Sequence, residues 1–217
     1  HDGQQRDYIL YLPAAYDGSQ AVPLVFNFHG FGSNASQQAL YGDFRAIADT
    51  ANFLVVHPEG TLFQGNQHWN VGGFTSGSTV DDVGFTSALL DSLAAEYKID
   101  LTRVYSTGMS NGGYMSYLLA CQLSDRIAAV ASVTGSMTPL TFDNCNAQHP
   151  TPVMQIHGTM DATVPYDGAS FSKSIEEVVL YWVDYNNCMQ PADTTPLPDV
   201  NTIDGSTVEH IGFSGGD

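Results

Sequence analysis

Near-continuous apolar runs alternate along this chain with stretches whose apolar residues recur every three or four positions. Asp7–Leu12 reads as a strand, and Pro23–Phe28 is an apolar run of the kind buried on both faces of a parallel sheet. Leu40, Phe44, Ile47, Ala48 and Ala51 then recur at helical spacing, and Phe53–Val56 predicts a second buried strand that stops at Pro58. Gly60–Thr79 is rich in Gly, Ser, Asn and Thr, carries the large aromatic Trp69, and reads as a long surface loop. Asp81 or Asp82 can cap a helix carrying Phe85, Leu89, Leu93 and Tyr97. Apolar runs follow around Val104, over Ile127–Val133 and over Pro152–His157. Ile175, Val178, Val179, Trp182 and Val183 form the clearest helical stripe. Gln190–Asp199 reads as irregular, and Val208–Phe213 as a weak strand. With no internal repeat, this alternation predicts one α/β domain over residues 1–217, a mostly parallel sheet with helices on both faces.

Composition narrows the function classes. Six Lys+Arg against 23 Asp+Glu give a formal charge of −17, which repels phosphate backbones and anionic lipid, so neither nucleic acid nor a membrane is an expected partner. No apolar run approaches the ~20 residues of a membrane span, and no leader precedes His1; the expectation is a secreted, extracellular or periplasmic chain with its export signal removed. Of three cysteines, Cys121 falls in a helical apolar pattern and reads as a buried thiol. Cys145 and Cys188 are then expected to pair, as suits an oxidising compartment, with three reduced thiols as the other reading.

The chemistry concentrates at predicted strand ends. Gly108-Met109-Ser110-Asn111-Gly112 is a GxSxG sequence between a β-prone run and the amphipathic segment of Met115, Leu118, Leu119 and Cys121. That is the setting of a nucleophile elbow, where Gly108 and Gly112 lack the Cβ atoms that would collide as strand and helix close. Ser110 is the candidate nucleophile; the same five residues also fit a glycine-rich turn in which Ser110 merely caps the helix. His29-Gly30-Phe31-Gly32 and Asp161 fall at two further strand ends, so three polar groups converge on one sheet edge.

His29–Gly32, Asp81-Asp82-Val83-Gly84-Phe85, the run from Arg103 to Gly113, and His157-Gly158-Thr159-Met160-Asp161 together resemble the polyhydroxybutyrate depolymerase and feruloyl esterase group of serine esterases, from about Tyr8 onward. The resemblance implies an α/β-hydrolase fold and a carboxylesterase working through an acyl-enzyme, with no cofactor. Ester substrates on plant polysaccharide (feruloyl or acetyl) and short polyhydroxyalkanoates both fit. It implies Ser110 as nucleophile, Asp161 as the acid that orients a histidine, and the backbone N–H groups of Phe31 and Asn111 as oxyanion donors. A serine peptidase of this fold and a non-catalytic ligand-binding homologue are the alternatives.

The histidine departs from the pattern. The group carries it after a further strand, in a GGGHxWP-like segment, and nothing similar precedes Asp217. His210 lies in the alternating Val208–Ile211 segment and reads as a strand residue; the final strand and histidine loop are expected beyond Asp217, leaving an open sheet edge beside the strand that ends at His157. His29 and His157 read as loop-holding residues, and His57, His68 and His149 show no ligand spacing, so no metal is inferred. Trp69 is the candidate substrate platform, or else pins its own loop. Asp81-Asp82 reads as capping, since adjacent residues at a helix start point apart, and Asn34-Ala35-Ser36 is a glycosylation sequon.

Overall fold

The computed structural model describes residues 1–217. Strand β1 (Tyr8–Tyr11) leads to β2 (Val22–Phe28), then α1 (Ala35–Tyr41), α2 (Arg45–Ala51) and β3 (Leu54–Pro58). A short hairpin, β4 (Thr61–Phe63) and β5 (Asn66–His68), precedes α3 (Asp82–Glu96), β6 (Ile99–Met109) and α4 (Asn111–Gln122). The chain continues through β7 (Ala129–Val133), α5 (Pro139–Asp143), β8 (Val153–Ile156), α6 (Ile175–Tyr185), β9 (Asp193–Pro196) and β10 (Glu209–Gly212). The main sheet has the order β1-β3-β2-β6-β7-β8, parallel except for β1 against β3. The expected mostly parallel sheet is what forms.

Side-chain alternation puts helices on both faces. Leu24, Phe26 and Phe28 of β2 are fully buried, and their neighbour Ser106 on β6 shares a hydrogen bond with Ser116 of α4. Asn27, between them, points the opposite way and accepts from Gln38 of α1 while donating to Gly42 O. On the α4 side, Trp182 of α6 stacks near Tyr117, and every residue of α4 from Asn111 to Cys121 is buried. Burying about ten such large side chains, at roughly 1.5–3 kcal/mol each, is the main drive toward the fold.

Four expectations need correction. The stripe from Leu40 to Ala51 is two helices, because α1 stops at Gly42; Leu40 and Ile47 are exposed. The segment 60–79 is more ordered than a surface loop: β4 and β5 turn through Gln64 and Gly65, both at positive φ, as a two-residue hairpin requires. The disulfide joins Cys121 to Cys145, and Cys188 is the free thiol. Cys121 is indeed buried in the helical pattern, but α5 returns Cys145 to the end of α4, and no local sequence pattern encodes that return. Finally, Gln190–Asp199 is not wholly irregular: β9 pairs antiparallel with β10 in a ribbon separate from the main sheet. No helix is long and apolar enough to cross a membrane.

Candidate active site

Ser110 sits between β6 and α4 at φ 53°, ψ −119°, a conformation that side chains other than glycine rarely adopt. It is held by its N–H donating to Val133 O at 2.8 Å and by its carbonyl accepting from the N–H groups of Gly113 and Tyr114. The strain is enforced by close approach. A Cβ on Gly108 would lie 2.6 Å from the Gly112 backbone, and one on Gly112 would lie 2.6 Å from the Phe28 carbonyl carbon. Ser110 makes no side-chain cap bond to α4, which separates the two readings of the motif: its hydroxyl is not spent on the helix. Half-buried at the sheet's C-terminal edge, it is presented rather than packed away.

The loop after β2 runs beside it. A Cβ on Gly30 would stand 3.6 Å from Ser110 Cβ, so the loop and the elbow are in near contact. Within this loop the Gly32 N–H donates to Gln67 O and the Ser33 N–H to Gly30 O, while Phe31 is exposed and its N–H has no acceptor in the chain. Asn111 is the first residue of α4, where helix geometry supplies no acceptor for an N–H. Both backbone groups that the sequence singles out thus adjoin the elbow with their hydrogens unspent.

Asp161 follows β8, two strands from β6. Its Oδ1 accepts from the N–H groups of Thr163 and Val164 at 2.8 and 2.9 Å, and its Oδ2 lies 3.6 Å from His157 Nε2. Burial pushes this carboxyl up, but the Val164 and Thr163 N–H bonds and nearby His157 outweigh it and hold the pKa below the usual carboxylate range. Burial pushes the Tyr114 phenol, one helical turn beyond Ser110, up to about 12; its hydrogen bond to Ser172 opposes this and the Asp161 charge adds to it.

None of the seven histidines hydrogen-bonds Ser110 or Asp161. The His157 side chain is buried, with Nε2 on Val164 O at 2.7 Å and Nδ1 on Gln155 at 3.0 Å. His29 takes the Gly60 N–H on Nε2 and places Nδ1 on Gly30 O, and burial lowers its pKa to about 4. His68 bonds Thr61 O and Ser78, His57 is buried in β3, and His149 is exposed before β8. His210 is exposed on β10 opposite Thr195. His1 sits at the surface with Asp2 and Asp81, their ligand atoms within 4.8 Å of one another.

Trp69 is not a platform: it is fully buried, edge-on to Phe28 at 4.9 Å. The exposed aromatic of the 60–79 segment is Phe74, which packs T-shaped on Tyr114 at 5.2 Å and on Phe171 at 6.1 Å. No sequence signal separates Phe74 from its Gly- and Ser-rich surroundings. Asp81 caps α3 through the Gly84 N–H, whereas Asp82 is buried against Arg6 at 2.7 Å and takes the Asn70 N–H.

Residues 6–174 match the family model described as Esterase PHB depolymerase. The chain is 30% identical over 192 residues to a bifunctional acetylxylan esterase/xylanase of Neocallimastix patriciarum, covering 88% of this chain and 26% of that protein. It is 29% identical over 203 residues to feruloyl esterase B of Piromyces equi, covering 88% and 38%. The chain thus spans well under two thirds of these relatives' length. An acetyl xylan esterase structure from Aspergillus awamori superposes with a TM-score of 0.67 at 15% identity, over 87% of this chain and 78% of that one, which shows the shared α/β-hydrolase fold.

Proposed function

The chain belongs to the PHB depolymerase esterase family, and from that premise we propose that it is a serine carboxylesterase acting through an acyl-enzyme. The observation that carries this reading is the strained Ser110 elbow with an uncommitted hydroxyl. Ser110 attacks the ester carbonyl, and the N–H groups of Phe31 and Asn111 receive the charge that develops on the carbonyl oxygen. Asp161 orients the imidazole that takes the serine proton, stabilises the imidazolium so formed, and the proton then passes to the departing alcohol. That imidazole comes from outside residues 1–217, along the free edge of β8, where Met154 and Ile156 are exposed and Asp161 Oδ2 carries no hydrogen bond.

Phe74, packed between Tyr114 and Phe171, offers an apolar wall for the acyl group, a role that suits feruloyl and acetyl esters on plant polysaccharide as well as short polyhydroxyalkanoate esters. The Cys121–Cys145 bridge supports export to an oxidising compartment. The test is Ser110→Ala in the intact protein, assayed with an aryl acetate and methyl ferulate. Expected is a fall in kcat of about 10⁴- to 10⁶-fold with an unchanged thermal midpoint. Parental turnover by the variant would remove Ser110 from the mechanism.

A further inference from the structure

The segment Gln67–Trp69 holds both halves of the oxyanion site at once. On one side, Gln67 O accepts the Gly32 N–H at 2.8 Å and the Trp69 indole N–H donates to His29 O at 2.9 Å. The loop that presents the Phe31 N–H is therefore fixed at both ends. On the other side, the Trp69 backbone N–H donates to Asn111 Oδ1 at 2.7 Å, and Asn111 Nδ2 donates to Trp69 O at 3.1 Å. The buried Asn111 amide pairs with one backbone residue as a neighbouring strand would, and Asn111 is the residue whose own N–H is the second oxyanion donor.

We propose that Trp69 is a positioning residue that sets the spacing of the Phe31 and Asn111 N–H groups, an inference that rests on the esterase reading above. The geometry favours this over simple core filling. A residue needed only for volume would satisfy its indole N–H anywhere, whereas all three hydrogen bonds of Trp69 go to the two segments that flank Ser110. Its ring, edge-on to Phe28 and 4.9 Å from His29, fixes the angle at which the indole N–H meets the loop. Two donors converging on one oxygen must hold their mutual distance within about 0.5 Å to act together. A shared clamp achieves this where two independent loops would not.

The experiment compares Trp69→Phe and Asn111→Ala with the intact parent, using an aryl acetate and a boronic acid that mimics the tetrahedral intermediate. Because Trp69 is buried, a second variant replaces it with β-(3-benzothienyl)alanine, which keeps the ring shape and deletes only the N–H. The expected result is a fall in kcat of about 10- to 100-fold in each, with KM within twofold and boronate affinity falling in step with kcat. The Trp69→Phe and Asn111→Ala losses should also be far from additive in the double variant. If the benzothienyl protein keeps parental kcat and boronate affinity, or if KM and kcat shift together with the thermal midpoint, Trp69 is only a core residue. Failure of the esterase reading looks different: Ser110→Ala then matches its parent, or the parent hydrolyses no ester, and the positioning role falls with it.

Discussion

Opening the Cys121–Cys145 bridge should lower stability without touching chemistry. The bridge spans a sequence separation of 24, and loop-closure entropy for a ring of that size corresponds to about 3.5 kcal/mol at 25 °C. Cys145→Ala is the cleaner perturbation, because Cys121 is fully buried in α4 while Cys145 is only half-buried, so the sulfur that packs in the core stays. For a chain of this size the loss converts to a fall of about 7–14 °C in thermal midpoint. The parent in strong reductant should melt with the variant, and Cys188→Ala should melt with the untreated parent. Ser110 lies eleven residues from Cys121 at the other end of α4, about 16 Å along the axis, so kcat measured well below the midpoint should not change. Calorimetry with a non-reducing peptide map checks all of this. A loss carried by Cys188→Ala, or a Cys145→Ala midpoint within 2 °C of the parent, would refute the pairing.

Gly112→Ala should destabilise by about 3 kcal/mol in urea titration, since its methyl meets the Phe28 backbone and no side chain can yield; an unchanged midpoint contradicts the close packing. Asp82→Asn strands the buried Arg6 guanidinium and should cost about 3–5 kcal/mol, whereas an exposed pair such as Arg45–Asp43 should cost under about 1 when broken; equal effects would mean the Arg6 pair is not desolvated. Burial lowers His29 and His57 to about 4. The unfolded chain takes up protons near pH 6.5 while the fold does not, so stability is full above that pH and falls toward pH 4. The loss is on the order of 3 kcal/mol per histidine, and a urea midpoint that stays flat between pH 7 and 4.5 would sink the argument.

The sheet was legible because its strands are buried on both faces and so read as apolar runs: Leu24, Phe26 and Phe28, then Leu54 to Val56, need no partner to declare themselves. The elbow was legible for a similar reason, since two glycines at fixed offsets from a serine encode a contact between consecutive elements. What failed depends on elements distant in sequence. Trp69 looks like a loop aromatic until β2 and α4 are brought against it, and Cys145 shows its partner only once α5 has turned the chain back. Leu40 and Ile47 misled because helical spacing across Gly42 joins two short helices whose apolar residues need not share one buried face.

Asp161 shows how local bonding can prepare a group for a partner that is remote in sequence. The turn N–H groups of Thr163 and Val164 both engage Oδ1, so the charge is stabilised on one oxygen while the other is left without a hydrogen bond. His157 cannot use that second oxygen well. Its Nε2 is 3.6 Å away and already on Val164 O at 2.7 Å, so the ring braces the loop and does not bond the carboxylate. An anion held below the ordinary carboxylate range stays ionised, and its unbonded Oδ2 is free to accept from a correctly placed N–H, which is the property an imidazole-orienting acid needs. The free edge of β8 lies immediately before this loop, and its exposed Met154 and Ile156 give any arriving segment apolar surface to cover. Backbone pairing along that edge would therefore deliver a donor to Oδ2 and bury those side chains in the same step.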